Sequence, residues 1–224
     1  MTPPPALIET MRLEDGRIAL WPGHRARLLA SAAALGYPLE ARDLEARLSA
    51  HVRTAVPATR AWRIRLLLAH DGGLRLETAP LPPTQVPVRL ALAARVLDGR
   101  PCLDEDEAWL RHKTTRRPWF ADAAAWLARR PEYFDVIFGN AAGLACEGSR
   151  CNVYLRDPAG LWLTPPVRHG LLPGVQRQQL LDAGLVHEAA LSLADLEAAP
   201  ALRVSNALRG WLDARMDDGG RAPA

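Results

Sequence analysis

Lys113 is the only lysine of the chain, because lysine and arginine together number 28 and the other 27 are arginines. Arginine can meet the needs of surface charge and anion binding, but a guanidinium group does not form an imine with an aldehyde. A primary amine does, so a single lysine in this setting suggests covalent chemistry with a carbonyl compound. A lysine can also persist by chance in an arginine-rich sequence, and the lysine alone leaves both interpretations open.

Further residues of the chain could complete such a site. An imine-forming lysine usually serves pyridoxal 5'-phosphate (PLP), which needs a carboxylate opposite its ring nitrogen and donors around its phosphate. Glu147 opens the segment EGSRCNVY in a turn between two predicted strands, although a turn carboxylate is commonly a solvated surface group. The candidate phosphate donors are an arginine, a predicted helix N-terminus and a short polar break, namely Arg27, Gly174, Val175, Ser205 and Asn206.

The N-terminal elements that would position these residues alternate between strands and helices. Apolar and polar residues alternate at Leu7–Met11, and a turn then leads to a short predicted strand at Ile18–Trp21. Two helices follow, one ending at Gly36 and one amphipathic helix over residues 39–55. A second hairpin is predicted around the turn Asp71–Gly73.

A proline-rich linker over residues 79–87 predicts a domain boundary near residue 84. We therefore expect two domains, one of strands and helices over residues 1–84 and a larger one over residues 85–224. The final segment, residues 217–224, is expected to be disordered.

The larger domain is predicted to contain a β-meander and several helices. Lys113 lies at a junction before a helix that runs from about Trp119 to Arg130. Three successive strands are expected over residues 134–166, broken by the turn formers Asn140–Gly143 and Asp157–Gly160. The other predicted elements are a strand over residues 88–97, a helix from Pro173–Gly174 to Gly184, and a helix over residues 191–199.

Composition excludes several other classes of protein. The chain has 224 residues, 49% of them hydrophobic, and a formal net charge of +3, so it can bury a substantial core. It lacks a run of ~18 apolar residues and a secretory leader pattern, which favours a cytoplasmic protein. The three cysteines and six histidines have no metal-ligand spacing, and the arginines are interleaved with acids rather than massed for nucleic acid. We therefore expect no metal site, no nucleic-acid partner and no membrane association.

The candidate residues occur in the order and wording typical of the class IV (fold-type IV) PLP-dependent aminotransferase family, which the chain resembles over nearly its whole length. The matching segments are LIETMRLEDGRIALWPGHRARLLASAAALG, HKTTRR, FDVIFGNAAGLACEGSRCNVYL, LTPPVRHGLLPGVQR and VSNALRGW. The resemblance implies a two-domain α/β fold, with an N-terminal α/β sandwich and a larger C-terminal β-meander or barrel-like domain with helices. It also implies a homodimer with PLP at the domain interface.

The resemblance also implies the roles of individual residues. Lys113 would form the Schiff base, Glu147 would bond the pyridinium N–H, and Arg27 would grip the phosphate. The rest of the phosphate cup would comprise Gly174, Val175, Ser205 and Asn206. Apart from the resemblance, Thr114 or Arg117, close to Lys113 in the sequence, could assist or bind a substrate carboxylate.

Within the family, the segments HKTTRR, TPP…GLLPG and NALRGW most resemble aminodeoxychorismate lyases. This implies conversion of 4-amino-4-deoxychorismate to 4-aminobenzoate and pyruvate, a step of folate biosynthesis. An amino-acid aminotransferase of the branched-chain or D-amino acid type remains open, although Pro118 replaces a tyrosine of branched-chain enzymes that contacts the cofactor. A catalytically silent partner of aminodeoxychorismate synthase also remains open. Many relatives carry a further strand and a DRGxxYGDG-like segment before LIET, and its absence here is shared with lyase domains fused to the synthase component.

Overall fold

The computed structural model describes residues 4–55 and 61–217, a mixed α/β structure that confirms the predicted fold class. The strands are β1 Leu7–Leu13, β2 Trp62–Leu68, β3 Leu74–Pro80, β4 Val88–Leu92, β5 Asp135–Gly139, β6 Ala145–Gly148, β7 Asn152–Arg156, β8 Trp162–Thr164, β9 His187–Glu188, β10 Leu202–Asn206 and β11 Gly210–Met216. The helices are α1 Trp21–Leu35, α2 Ala41–Ala55, α3 Ala93–Val96, α4 Ala121–Ala128, α5 Val175–Asp182 and α6 Leu193–Ala198.

The described residues divide into two compact units. The first unit takes its residues from Met1–Pro83 and His112–Arg116, and the second from Thr84–Arg111 and Arg117–Ala224. The segment that carries Lys113 therefore belongs to the first unit, although residues on both sides of it belong to the second.

The first unit is built on an antiparallel sheet of three strands in the order β1-β2-β3. Strand β1 pairs with β2 from Leu7↔Leu68 to Leu13↔Trp62, and β2 and β3 form the predicted hairpin. Alternate residues of the sheet pack with apolar side chains of α1 and α2, including Leu28 and Leu44, in one buried core. The two predicted helices of this segment are confirmed, and Gly36 ends α1 with a φ of 73°.

The predicted strand at Ile18–Trp21 is wrong. Glu14 and Arg17 form an isolated antiparallel bridge, but α1 already begins at Trp21. Pro22 lies in the first turn of α1, where its missing N–H is not needed for an intrahelical hydrogen bond. The helix thus begins at Trp21, the last residue of the predicted strand.

The second unit contains a sheet of eight strands in the order β6-β5-β4-β11-β10-β7-β8-β9. The central strand β4 lies parallel to both β5 and β11. Alternate residues of β4 and β5 enter two different apolar cores, one with Phe138 and Trp126, the other with Ile137 and Val204. Burial on both sides explains why β5, DVIFG, reads as a continuous buried run.

Several predicted elements of the second unit differ in extent. The two predicted turns join β5 to β6 and β7 to β8, but a further break at Ser149–Cys151 makes four strands where three were expected. The strand predicted over residues 88–97 ends at Leu92 and is followed by α3. Ser205 and Asn206 are the last residues of β10 rather than part of a polar break.

The remaining helices follow their local sequence signals. A short 3-10 turn at Pro118–Phe120 leads into α4, and α5 begins directly after its N-cap Gly174, as predicted. Helix α6 begins with a capping box formed by Ser192 and Asp195. No helix in the described part of the chain has the length and apolar character needed to cross a membrane. Residues 218–224, most of the segment predicted to be disordered, lie outside the described residues.

Candidate active site

Lys113 is held by backbone pairing between its segment and the start of β1. The N–H of Ile8 donates to the carbonyl of Lys113 at 2.8 Å, and the N–H of Thr115 donates to the carbonyl of Ala6 at 2.9 Å. Thr114 is 1% exposed and forms an antiparallel bridge with Leu7. The backbone on both sides of Lys113 is thus fixed, which limits the volume that its partly buried side chain can reach.

A buried ionic cluster surrounds Glu9, which lies on β1 two residues after Leu7. The carboxylate of Glu9 accepts hydrogen bonds from Arg27 Nε at 2.8 Å and Arg27 Nη2 at 2.5 Å, and lies 2.6 Å from His24 Nδ1. Glu9 and His24 are each 1% exposed. Burial alone would raise the pKa of Glu9, but the charge of Arg27 and the hydrogen bonds from His24 and Arg27 lower it to about 2. Glu9 therefore grips one edge of the Arg27 guanidinium as a carboxylate.

Glu147 is a buried carboxylate on β6, immediately before a tight turn of the second unit. Asp135 anchors this turn, because its carboxylate accepts from Ser149 Oγ at 2.6 Å, Arg150 N at 2.8 Å and Cys151 Sγ at 3.0 Å. A Cβ on Gly148 would overlap the Asp135 carboxylate, so the turn needs glycine at this position. The backbone that follows Glu147 is therefore rigidly placed.

Gly174 and Ser205 lie next to Asn152 in the same unit, and Val175 follows Gly174 as the first residue of α5. The Nδ2 of Asn152 donates to the carbonyl of Leu172 at 3.1 Å, and a Cβ on Gly174 would overlap its Oδ1. Ser205 lies opposite Asn152 in the register of β7 and β10. Because no side chain caps the first amides of α5, this close-packed turn presents N–H donors of the kind that bind an anion.

The hydroxyl of Ser205 and the side chain of Asn206 have defined partners. Ser205 Oγ lies 2.7 Å from the hydroxyl of the buried Tyr154. Asn206 Oδ1 accepts from the N–H of Arg209 at 2.9 Å, and its Nδ2 donates to the carbonyl of Arg150 at 3.2 Å. Asn206 thereby ties the end of β10 to the turn that follows Glu147.

The sequence-predicted residues therefore form two groups. In the first unit, Lys113 and Thr114 pair with the beginning of β1, and Arg27 pairs with Glu9 of the same strand. The second unit groups the candidate carboxylate with the candidate anion donors and Arg117, whose Nη2 donates to the Ser149 carbonyl.

Supporting residues were missed by the sequence analysis. Glu9 had a usable signal, since it lies on the same face of β1 as Leu7, Met11 and Leu13, where a charge is unexpected. Asp135, Asn152 and Tyr154 had none, since their partners depend on contacts between strands that are distant in sequence.

Comparisons with known proteins cover nearly all of the described chain. The family Amino-transferase class IV matches residues 6–216. A Schizosaccharomyces pombe protein named provisionally as an aminodeoxychorismate lyase is 32% identical over 184 residues, which span 81% of this chain and 75% of that protein.

Solved structures show the same fold. A Mesorhizobium loti protein, named provisionally as an amino-acid aminotransferase, matches with a TM-score of 0.85 and 36% identity, covering 96% of this chain and 100% of that one. The PLP-bound form of a hypothetical aminotransferase from Mycobacterium tuberculosis has a TM-score of 0.77 and 24% identity, covering 97% of this chain and 83% of that one.

Proposed function

Because this chain belongs to the class IV aminotransferase family, we propose that it is a PLP-dependent aminodeoxychorismate lyase. It converts 4-amino-4-deoxychorismate to 4-aminobenzoate and pyruvate. The observation that carries the choice of reaction is the 32% identity to the Schizosaccharomyces pombe relative over 81% of the chain.

The donor set fits the cofactor. PLP supplies an electron sink for the electron pair that remains when a proton leaves the substrate carbon. Lys113 is the one side chain of the sequence able to hold its aldehyde carbon as an imine, and the buried Glu147 suits the ring N–H. The phosphate would be held by the following residues: Arg27, Gly174, Val175, Ser205 and Asn206.

The hydrogen-bond partners of the proposed phosphate-binding residues are compatible with binding an anion. The amides at the start of α5 are uncapped by side chains, which leaves donors directed at an anion. The side chain of Asn206 is engaged by the N–H of Arg209 and the carbonyl of Arg150, so its contribution to the phosphate would come from the backbone. Ser205 Oγ can donate to an anion while it accepts from Tyr154.

Lys113 also carries the proton transfers of the proposed reaction. Its Nζ, as a free amine, would accept the proton from the amine-bearing ring carbon of the substrate. The bond between the ring and the enolpyruvyl oxygen then breaks, and a proton from Nζ completes pyruvate. Formation of the aromatic ring drives the step forward. Thr114, next to Lys113, remains a candidate for contact with the substrate.

The test is a product assay on the protein loaded with PLP. Enzymatically made aminodeoxychorismate should give 4-aminobenzoate and pyruvate in equal amounts. Lys113→Arg keeps the positive charge but cannot form an imine, so it should abolish both products. Borohydride reduction followed by peptide mapping should place the pyridoxyl group on Lys113 in the wild type. A pyridoxyl group that appears only on the amino terminus would refute the assignment of the lysine.

An amino-acid aminotransferase is the second candidate. It is favoured by the 36% identity to the Mesorhizobium loti protein, all of which this chain covers. Incubation with amino donors and 2-oxoglutarate decides between the two: transamination without 4-aminobenzoate defeats the lyase proposal. A chain that fails to bind PLP at all would instead support the silent partner of the synthase.

The remaining expectations concern the cellular context of the enzyme. A homodimer, a cytoplasmic location and a possible synthase partner stay predictions from the sequence. Size-exclusion chromatography with light scattering tests the first, and co-purification with the synthase tests the last.

A further inference from the structure

Arg117 is the first residue of the second unit after the lysine segment, and its guanidinium group has two defined contacts there. Its Nη2 donates to the carbonyl of Ser149, and its central carbon lies 4.7 Å from the centroid of the Phe120 ring. A guanidinium held by a carbonyl and an aromatic face has a restricted orientation. Although Arg117 is partly exposed, its guanidinium group is held within this unit by Ser149 and Phe120.

The carbonyl that Arg117 binds belongs to the turn that follows Glu147. Asp135 holds the same turn, because its carboxylate accepts from the Ser149 hydroxyl, the backbone N–H of Arg150 and the thiol of Cys151. Ser149 is thus held at its side chain by Asp135 and at its carbonyl by Arg117. Because Ser149 is only two residues after Glu147, both contacts restrict where the Glu147 carboxylate can lie.

The charges in this region favour the same role. Desolvation lowers the pKa of Arg117, whereas the carboxylates of Glu147 and Asp135 act in the opposite direction and stabilise its positive charge. Arg150 opposes this effect. The attraction between the two charges is mutual, so the positive charge of Arg117 also stabilises the ionised form of Glu147. This matters because Glu147 is buried, and burying a charge without a partner costs free energy.

We propose that Arg117 is a positioning residue for Glu147: it fixes the turn after this carboxylate and supplies the positive charge that keeps it ionised. This inference rests on the proposed function, in which Glu147 faces the pyridine nitrogen of PLP. It differs from the role in substrate binding that the sequence motif suggested for Arg117. A guanidinium engaged by Ser149 and Phe120 is poorly placed to follow a substrate carboxylate.

The two roles of Arg117 predict different consequences. If Arg117 supports Glu147, loss of its charge favours the neutral carboxylic acid, and the pyridine nitrogen loses its proton. If it binds a substrate carboxylate, its loss raises KM and leaves the cofactor unchanged. The protonation state of the ring nitrogen therefore separates the roles without reference to turnover.

The experiment uses Arg117→Gln loaded with PLP labelled with 15N in the ring. The 15N resonance should move from the protonated towards the unprotonated position, and the Kd for PLP should rise by about tenfold, as for other supporting partners of ligand groups. The KM for aminodeoxychorismate should change by less than about threefold. Arg116→Gln is the matched control, since Arg116 belongs to the other unit, and should keep the wild-type resonance.

Arg117→Lys is the second variant if the glutamine variant does not fold. It keeps the positive charge but loses the planar fork, so the ring nitrogen should stay protonated while PLP binds several-fold more weakly. Peptide mapping after borohydride reduction verifies that Lys113 remains the attachment residue. A tenfold or larger rise in KM, with an unchanged resonance and an unchanged Kd for PLP, would overturn the proposal with either variant.

Failure of the inference is distinguishable from failure of the proposed function. A wild-type protein that binds no PLP defeats the function, whatever Arg117 does. A wild-type protein that binds PLP with a protonated ring, together with an Arg117→Gln variant of identical resonance and affinity, defeats only the role of Arg117.

Discussion

At the scale of single residues, burying the cluster of Glu9, His24 and Arg27 costs free energy. Desolvation of charged groups offsets much of the attraction between them, and a well-packed apolar replacement is often equally stable. The cluster is therefore weak evidence for a purely structural role. Its geometry instead fixes the plane of the Arg27 guanidinium, which is what a residue proposed to hold a phosphate requires.

Glu9→Gln should destabilise the protein, because it leaves Arg27 and His24 buried without their anionic partner. At pH 7 we expect a loss of about 3 kcal/mol in the free energy of unfolding, measured by urea denaturation without cofactor. Glu14→Gln is the matched control, since Glu14 follows the end of β1 and pairs with Arg12 but is half exposed, and this variant should be about as stable as the wild type.

The loss of stability caused by Glu9→Gln should disappear in acid. The pKa of Glu9 is lowered from 4.5 to about 2 in the folded chain, so its contribution is fully present above pH 4.5 and is lost as the pH falls towards 2. The difference in unfolding free energy between wild type and Glu9→Gln should shrink over this range. A difference that stays constant from pH 6 to pH 3 would contradict the ionised cluster.

The residues differ in how far their roles could be predicted from sequence. Lys113 stands out by its type alone, and Glu147 by its segment. Glu9 was detectable as a charge on an apolar strand face, but Asp135 was not. It lies in β5, where every residue is buried, so its side chain breaks no alternating pattern.

At the scale of elements, local signals predicted most helices and hairpins of the described chain. Gly36 and the turn Asp71–Gly73 lie where the backbone reverses or ends a helix, as expected. The break at Ser149–Cys151 was missed because Asp135, a residue distant in sequence, holds it in place. The extra length assigned to β4 was wrong for a different reason, since residues 93–96, AARV, suit a short helix or a strand equally.

Helix α5 provides a prediction at this scale. Gly174→Ala places a methyl group on the Oδ1 of Asn152, so either this side chain or the start of α5 must shift. We expect the affinity for PLP to fall about tenfold or more, with a smaller loss of affinity for pyridoxal, which has no phosphate. Fluorescence titration with both compounds measures the two changes.

The control for this prediction is Gly184→Ala, just beyond the same helix. Gly184 has a φ of 66° and open space around a Cβ, so alanine there should cost about 1 kcal/mol of stability without altering cofactor affinity. Equal loss of affinity for PLP and pyridoxal in Gly174→Ala would show that the helix start does not contact the phosphate.

At the scale of the whole molecule, the chain passes from one unit to the other more than once. Thr115 bonds Ala6 across 109 positions, which places the lysine segment with the N-terminal strands. Such pairing leaves no periodic pattern in the sequence, because it involves only a few residues whose partners lie far away along the chain. The family resemblance supplied the role of Lys113, and the structure supplied the strand that holds it.

Binding of PLP to the proposed residues should stabilise the folded protein against unfolding, because the unfolded chain has no such site. A ligand that binds only the folded protein adds about 2.7 kcal/mol at a hundredfold excess over its Kd. The wild type should show this gain in thermal or urea unfolding with PLP, and a smaller one with pyridoxal. Lys113→Ala should reduce both gains, since it removes the covalent link, whereas Gly174→Ala should reduce mainly the advantage of PLP over pyridoxal. Equal gains in all three proteins would mean that PLP binds elsewhere, and the assignment of both residues would then fail together.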